Sequence, residues 1–199
     1  MLSKLAVVVA AAITAATVGV STAGAATSYS GQARPLSVSA FGAGVDIGNT
    51  GALPSSGGSQ SAGLVNLNLL GFATVGVLRG ETSGSGDNAT SSASLVTVSL
   101  PIIGLSADVV KSTSTATCSG TTPSVSGSSD LVNVTVLGMP ISAPMPNVSV
   151  VLPGGISVIL NEQTSTVNGN TGSITVNAIH VTGPGIDIVL SSAESDITC

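Results

Sequence analysis

The chain has 199 residues, with four Lys and Arg against nine Asp and Glu, 43% apolar residues and only 2% aromatic residues. This length suits one domain with a sizeable core, and the β-branched content excludes a disordered chain. So few basic residues exclude a nucleic-acid-binding surface that neutralises phosphates. With 7% charged residues, the surface must be polar mainly through hydroxyls and amides. That composition favours self-association, although the net charge near −5 opposes it.

Residues 1–25 have the pattern of a secretory signal peptide. Lys4 gives a positive start, residues 5–20 are apolar, and Ala23-Gly24-Ala25 is a small-residue cleavage site. We predict cleavage between Ala25 and Ala26, which leaves a single domain over residues 26–199 that is secreted and no longer associated with the membrane. The alternative is an uncleaved membrane anchor, but Thr and small residues follow the apolar run where flanking charge would be expected.

The mature region is a succession of short apolar, alternating runs separated by Gly, Pro, Asn and Ser. The alternation predicts strands over 36–40, 45–47, 64–70, 74–79, 95–100, 105–111 and 113–118, and loops over 49–63, 81–92 and 119–129. Helical periodicity is not sustained anywhere outside the signal peptide. The fold class predicted is all-β, and we favour an antiparallel β-sandwich over a barrel.

The strongest local signal is a hairpin over residues 156–182. Two β-branched runs flank Asn168-Gly169, a dipeptide typical of the type I′ turn, which needs positive φ at both central residues. We expect this hairpin to be central to the domain.

The second half of the chain echoes the first. Residues 131–138 (LVNVTVLG) match residues 64–71 (LVNLNLLG), and both halves close on Thr-Cys. We predict a duplication with repeats over 61–118 and 128–199, in which each half supplies one face of a common core and the second carries a Pro-rich addition at 139–155. The alternative is chance similarity in a chain of low complexity.

Cys118 and Cys199 are the only two cysteines of the chain. In an exported protein the simplest outcome is one disulfide, which would join the ends of the two repeats and fasten the C-terminus. The alternative is a reactive thiol, but neither cysteine belongs to a CxxC motif.

The sequence offers few groups for catalysis or metal binding, so we predict no catalytic residue, no metal site and no cofactor. One His and two paired cysteines do not make a zinc site. Glu194 with Asp196, and Asp87-Asn88, are interpreted as solvated turns rather than calcium sites. His180 lies within a predicted strand, and no Gly-x-Ser-x-Gly motif is present. An enzyme that uses carboxylates alone stays open as an alternative.

The most distinctive polar group is Asn161-Glu162-Gln163. In one interpretation these side chains satisfy backbone groups where the hairpin bends. In the other they form, with Asn177, a ligand-facing site.

Several segments of the C-terminal quarter resemble the choice-of-anchor P family of secreted bacterial proteins. They are LPG at 152–154, LNEQ at 160–163, TVNAIHV at 175–181 and DIV at 187–189, and the early YSGQA at 29–33 also fits. The resemblance implies an exported domain, joined in other members to varied surface anchors, whose biochemical role is not established. This sequence stops at Cys199 without a sortase motif, so we expect release or non-covalent retention. Glu194 stands where the family often has His.

Two functional hypotheses follow. The first is a secreted, non-enzymatic domain with a structural or adhesive role, whose partner is cell-envelope material or another copy of itself. The alternative is a small-ligand or glycan-binding module that uses Asn161, Glu162, Gln163 and Asn177.

Overall fold

The computed structural model describes residues 27–40, 42–69, 73–143 and 145–199. The predicted signal peptide and its cleavage site at Ala25 and Ala26 lie outside the described residues. The described chain forms thirteen strands and one short 3-10 turn. The strands make two antiparallel sheets packed face to face, which confirms the prediction of an all-β sandwich.

One sheet has seven strands and comes from the middle of the chain. Its order is β3-β4-β5-β6-β8-β9, with β7 also paired to β6. The strands are β3 (Gly58–Leu69), β4 (Ala73–Ser85), β5 (Asn88–Leu100), β6 (Leu105–Ser119), β7 (Thr122–Val132), β8 (Thr135–Val136) and β9 (Met139–Pro140). The 3-10 turn Pro101–Ile103 separates β5 from β6, at the break that Pro101 and Gly104 predict.

The other sheet has six strands and joins the two ends of the described chain. Its order is β10-β11-β12-β13-β1-β2. The strands are β1 (Ser28–Ala40), β2 (Ala43–Ile47), β10 (Val148–Leu152), β11 (Ile156–Asn168), β12 (Thr171–Gly183) and β13 (Ile186–Thr198). Each sheet therefore contains a meander of three long strands, β4-β5-β6 in one and β11-β12-β13 in the other.

The hairpin predicted over 156–182 is confirmed as β11 and β12, but its predicted turn type is wrong. Asn168 pairs with Thr171, so Gly169 and Asn170 are the central residues. Only Gly169 has positive φ, at 57°, which is the pattern of a type II′ turn. A type II′ turn needs positive φ only at its first central position, which Gly169 occupies. Asn168 is the residue before the two central residues of the turn. The hairpin also lies toward one edge of its sheet, because β11 is next to the edge strand β10. The two middle strands of the sheet are β12 and β13.

Two segments predicted as loops, 81–92 and 119–129, are largely strand, and the third, 49–63, is strand from residue 58 onward. The structure starts β3 at Gly58, extends β4 to Ser85, and starts β5 at Asn88 and β7 at Thr122. These stretches are rich in Gly, Ser and Thr, which are weak strand signals on their own. Tertiary packing overrides that weak preference because small side chains are what the space between the sheets accepts at this end of the molecule.

The interior changes character along the strands. At one end it is a conventional apolar core built from large aliphatic side chains, including Leu36, Leu78, Leu95, Leu160 and Leu190. Next to it the sheets meet through buried small residues, which we call the small-residue seam: Ala33, Ala93, Ala116, Ala193, Ser91, Ser112, Ser114, Ser191 and Ser195. Beyond the seam, a second apolar cluster contains Tyr29, Leu53, Ile197 and Cys199.

Hydroxyls of the small-residue seam bond directly from sheet to sheet. Ser114 Oγ lies 2.8 Å from Ser195 Oγ, and Ser91 donates to the Glu194 carbonyl at 2.6 Å. Gly31 also belongs to this region, since a Cβ there would lie 3.3 Å from Ser91 Oγ of the opposite sheet. The sheets approach too closely here for large side chains, so hydrogen bonds replace much of the apolar burial.

A line of distorted residues crosses each sheet between these two ends. Asn66 and Thr97 in one sheet and Asn161 and Ser191 in the other have φ between 50° and 63°. The cross-strand pairing resumes in the same register beyond them. At each such position, the alternation of inward-facing and outward-facing side chains shifts by one residue. The same face of the sheet packs against the core on both sides of the shift. Pro35 lies on this line, where its missing N–H removes no paired ladder bond.

The predicted disulfide is confirmed. Cys118 and Cys199 are bonded, with their Cα atoms 5.6 Å apart. Cys118 lies one residue before the end of β6 and Cys199 follows β13, so the bond joins the two sheets near the small-residue seam. The surroundings of the two cysteines match: Cys118 N–H donates to Asp87 O and Cys199 N–H to Asn170 O, at 2.9 and 2.8 Å. This equivalence is what repeats over 61–118 and 128–199 would produce, while the duplication itself stays a prediction.

Candidate functional site

A network of polar side chains lies on the outer face of the six-stranded sheet. Asn177 Nδ2 donates to Glu162 Oε2 at 2.7 Å. His180 Nδ1 lies 2.8 Å from the same carboxylate oxygen, and its Nε2 lies 3.4 Å from Asp187 Oδ2. The side chains of Glu162 and His180 are 22% and 18% exposed, so the network is open to solvent at its rim.

The distortion of the sheet creates this network. Asn177 and His180 are three residues apart on β12, and in a regular strand they would point to opposite faces. The alternation shifts between Ala178 and Ile179, which are both fully buried. Asn177 and His180 therefore share the outer face, and both reach Glu162, the cross-strand neighbour of Asn177.

A second polar group lies across the same face. Arg34 Nη2 and Gln32 Nε2 lie 3.4 and 3.2 Å from Glu194 Oε2. A shallow depression of about 120 Å³ separates this group from the first. Its lining residues are Arg34, Ser37, Thr175, Asn177, Val189 and Ser192. The depression thus presents a guanidinium, an amide and several hydroxyls to solvent.

Burial raises the pKa of Asp196, which lies one row beyond Glu194 on β13. The negative charge of Glu194 acts in the same direction, while a hydrogen bond from the Ser173 side chain opposes them. A carboxyl whose pKa is raised on folding contributes stability at low pH and loses that contribution as pH rises through its folded-state pKa. At neutral pH the ionised Asp196 therefore disfavours the folded state.

We expect Asp196→Asn to stabilise the protein at pH 7, by up to about 0.5 kcal/mol, the usual range for a partly exposed position. The amide keeps an acceptor for Ser173 and removes the buried charge. The gain should shrink as pH falls toward the ordinary carboxyl range near 3.8, because the wild-type carboxyl becomes protonated there. Chemical denaturation at pH 7 and pH 3 measures both values. Asp46→Asn, an exposed change on β2, is the control, and a loss of stability in D196N at pH 7 would contradict the argument.

The structure separates the four predicted ligand-facing residues into two pairs. Glu162 and Asn177 lie together on the open face. Gln163 instead donates from Nε2 to Gly127 O at 3.2 Å and to Asn161 Oδ1 at 2.9 Å, and its backbone N–H donates to Asn147 Oδ1 at 2.8 Å. Asn161 and Gln163 therefore tie neighbouring segments to β11, as the backbone-satisfying interpretation describes. A ligand-binding role for Glu162 and Asn177 stays a prediction.

Sequence reasoning did not connect His180, Arg34 or Glu194 to these residues. His180, which lies within a predicted strand, bonds to Glu162 and Asp187 on the sheet. Arg34 and Glu194 are 160 positions apart in sequence, and no local pattern indicates that β1 pairs with β13. Within the described ranges, no group of three or more His, Cys, Asp or Glu is arranged to hold a metal ion.

The outer face of the seven-stranded sheet carries a different feature, which we call the valine row. Its members stand directly opposite one another on five adjacent strands: Val65, Val77, Val96, Val109 and Val132. Four of them are between 40% and 69% exposed, and Val109 is half-buried. Rows rich in hydroxyls run parallel to it, one of them formed by Ser59, Ser83, Thr90, Thr115 and Ser126.

Comparison with known proteins gives no relative: no protein-family model, no curated protein and no solved structure matches the chain. In the part of the chain that the structure describes, none of the helical segments has the length and apolar character needed to span a membrane.

Proposed function

We propose that this protein is an exported, non-enzymatic β-sandwich domain with a structural or adhesive role at or beyond the cell surface. The observation that carries the proposal is the valine row on a face that also carries rows of polar side chains. Contiguous exposed apolar surface rimmed by polar groups is typical of interaction sites. The resemblance to the choice-of-anchor P family and a disulfide suited to an oxidising compartment also support export.

The proposed partner is a polysaccharide of the cell envelope. Five adjacent strands give the row a length of about 19 Å at the usual strand spacing. Sugar rings present apolar C–H faces and hydroxyl edges. The valine row and the rows of Ser and Thr further along the same face match both features, and a row that contains Arg79, Ser94 and Lys111 lies between them.

The simpler explanation of the row is that valine favours strand structure. Valine-to-threonine changes separate the two explanations, because threonine keeps the β-branched shape and replaces one methyl group with a hydroxyl. In V77T/V96T we expect the fraction of protein that co-sediments with purified bacterial cell walls to fall about fivefold, with unchanged thermal unfolding. V167T is the matched control, since Val167 is exposed on the other sheet.

The proposal fails if the mature protein does not bind cell-wall polysaccharide or peptidoglycan at all, or if V77T/V96T and V167T bind equally well. Export is tested separately by mass spectrometry of the culture fluid. The expected product starts at Ala26 and is lighter by two hydrogens than the reduced chain.

A second candidate function, small-ligand or glycan binding, is favoured by the depression between the two polar groups. Asn177 belongs both to its lining and to the network with Glu162 and His180. A sugar or carboxylate ligand could accept from Arg34 and Asn177. If this is correct, a ligand from a glycan array should shift the NMR signals of the His180 ring, and Arg34→Gln should weaken binding about tenfold. A glycan array without any hit rejects it.

A further inference from the structure

Strand β3 differs from the other edge strands of the described chain. It ends the seven-stranded sheet and pairs with β4 on one side only. Its twelve residues, Gly58–Leu69, include no Lys, Arg, Asp, Glu or Pro. Edge strands expose backbone donors and acceptors, and proteins normally protect them with charge, proline, a bulge or short length. Between Gly58 and Asn66, which have φ of 115° and 55°, residues 59–65 form a regular, uncharged edge.

The other edges carry such protection. β2 and β10 have five residues each and β9 has two. β7 contains Pro123 and Asp130, and Gln163 Nε2 donates to its Gly127 carbonyl. Beyond β2, the loop over 48–57 bonds to the backbone of β1 and so covers that edge of the six-stranded sheet. Among the described residues, β3 is the longest edge left without these devices; β11 beyond Leu160 also pairs on one side only, over a shorter stretch.

Apolar surface accompanies the open edge. Leu64 is half exposed and Val65 is the most exposed member of the valine row. A depression of about 610 Å³ follows residues 61–65 and the adjacent part of β4. Pairing another strand here would satisfy backbone groups and remove apolar side chains from water at the same time.

We propose that β3 pairs antiparallel with β3 of a second copy, around a twofold axis at Ala62. This register places Ser61 opposite Gly63 and Ser59 opposite Val65 of the second copy. Outward-facing residues then meet outward-facing residues, whereas a slip by one residue would reverse the faces. The contact uses the same edge in both copies, so it closes as a dimer and leaves neither edge open.

Charge complementarity identifies a second copy as the occupant. Ser61 stands beside Glu81 on β4, and Gly63 stands beside Arg79. The proposed register therefore aligns Glu81 of one copy with Arg79 of the other in a single row, twice by symmetry. Only Ser61 and Gly63, which have short side chains or none, lie between them. Arg79 and Glu81 are both exposed and form an ion pair within one copy, so the dimer extends this pair into a network of alternating charge.

The test is the oligomeric state of the full, disulfide-bonded mature protein, measured by sedimentation equilibrium over a range of concentrations. We expect a dimer, and Val65→Lys should weaken its dissociation constant at least tenfold. Val132→Lys is the matched control, because Val132 is an exposed member of the same valine row on β7. Equal effects of V65K and V132K, or a wild-type monomer at every concentration, would overturn the proposal.

Charge reversal tests the register without touching β3. R79E and E81R should each weaken the dimer several-fold, because each aligns like charges across the axis. The double variant R79E/E81R should restore it. If the double variant stays monomeric, the second copy is not held in this register and the proposal is wrong. The polysaccharide assay uses V77T/V96T, so either proposal can fail without the other.

Discussion

The double variant C118A/C199A should lose about 4.5 kcal/mol of unfolding free energy relative to the oxidised wild type. The sequence separation of the two cysteines is 81 residues, and closing a loop of that length accounts for roughly this amount in the chain-entropy model. The bond joins the two sheets within an apolar cluster that includes Tyr29, Leu53 and Ile197. The bond constrains the unfolded chain, which this packing does not do, so the loss should be close to the full value.

The position of the bond also predicts where the structure opens first. Cys118 N–H and Cys199 N–H donate to the turns at Asp87 and Asn170. In the variant, amide hydrogen exchange should accelerate at these two turns, while amides around Leu95 and Leu160 in the apolar core change least.

Denaturant titration of C118A, C199A and the double variant measures the effect. Each single variant should lose about as much as the double, because all three lack the same bond. Reduction of the wild type should give the same loss. A loss below about 1 kcal/mol in the double variant would show that the small-residue seam holds the sheets together without the link.

Ser191→Ala should destabilise the protein by about 3 kcal/mol, since it leaves buried polar groups without a partner. Ser191 is fully buried. Its hydroxyl accepts from Ser112 N–H at 2.8 Å and donates to Ala93 O at 2.7 Å. It also lies 2.9 Å from Ser112 Oγ. One small side chain therefore connects β13 to two strands of the opposite sheet.

Thermal and chemical unfolding of S191A measure this loss, and Ser39→Ala, an exposed change on the same sheet, should stay within about 0.5 kcal/mol of wild type. Ser195→Ala should resemble S191A in direction, because Ser195 bonds both Ser114 Oγ and Ser114 O. Wild-type stability in S191A would mean that the hydroxyls of the seam contribute little to holding the sheets together.

The sequence was most informative where large apolar residues alternate. Leu36 and Val38 on β1, the pair of runs that became β11 and β12, and the break at Pro101 were all placed correctly because their patterns are local. The disulfide was also predictable, since two cysteines allow one pairing only.

The sequence was least informative in the small-residue seam. Segments rich in Gly and Ser, such as those that became the start of β3 and the start of β7, have no local preference for strand. They become strands because each is aligned by its neighbours in the sheet, and at β7 the missing side chain of Gly127 leaves room for Val176 and Ile174 of the other sheet. No pattern within one segment contains that information.

The residues of the candidate site were likewise predictable from the sequence only in part. Glu162 and Asn177 were selected from the sequence as polar residues in a hairpin, and they do lie together. His180 joined them only because β12 shifts its alternation after Ala178, and Arg34 faces Glu194 only because the chain ends pair as β1 and β13. A shift of alternation and a pairing of distant strands are both properties of the assembled sheets.

The amino-acid sequence alone determined the all-β class, the hairpin and the covalent link, because strand alternation and cysteine number act locally or by simple count. Only the tertiary structure decided which serines are buried, which side chains share the polar face, and which edge strand stays open. Those outcomes depend on the distance between two sheets and on the register of strands far apart in the chain, and neither quantity is encoded in any single segment.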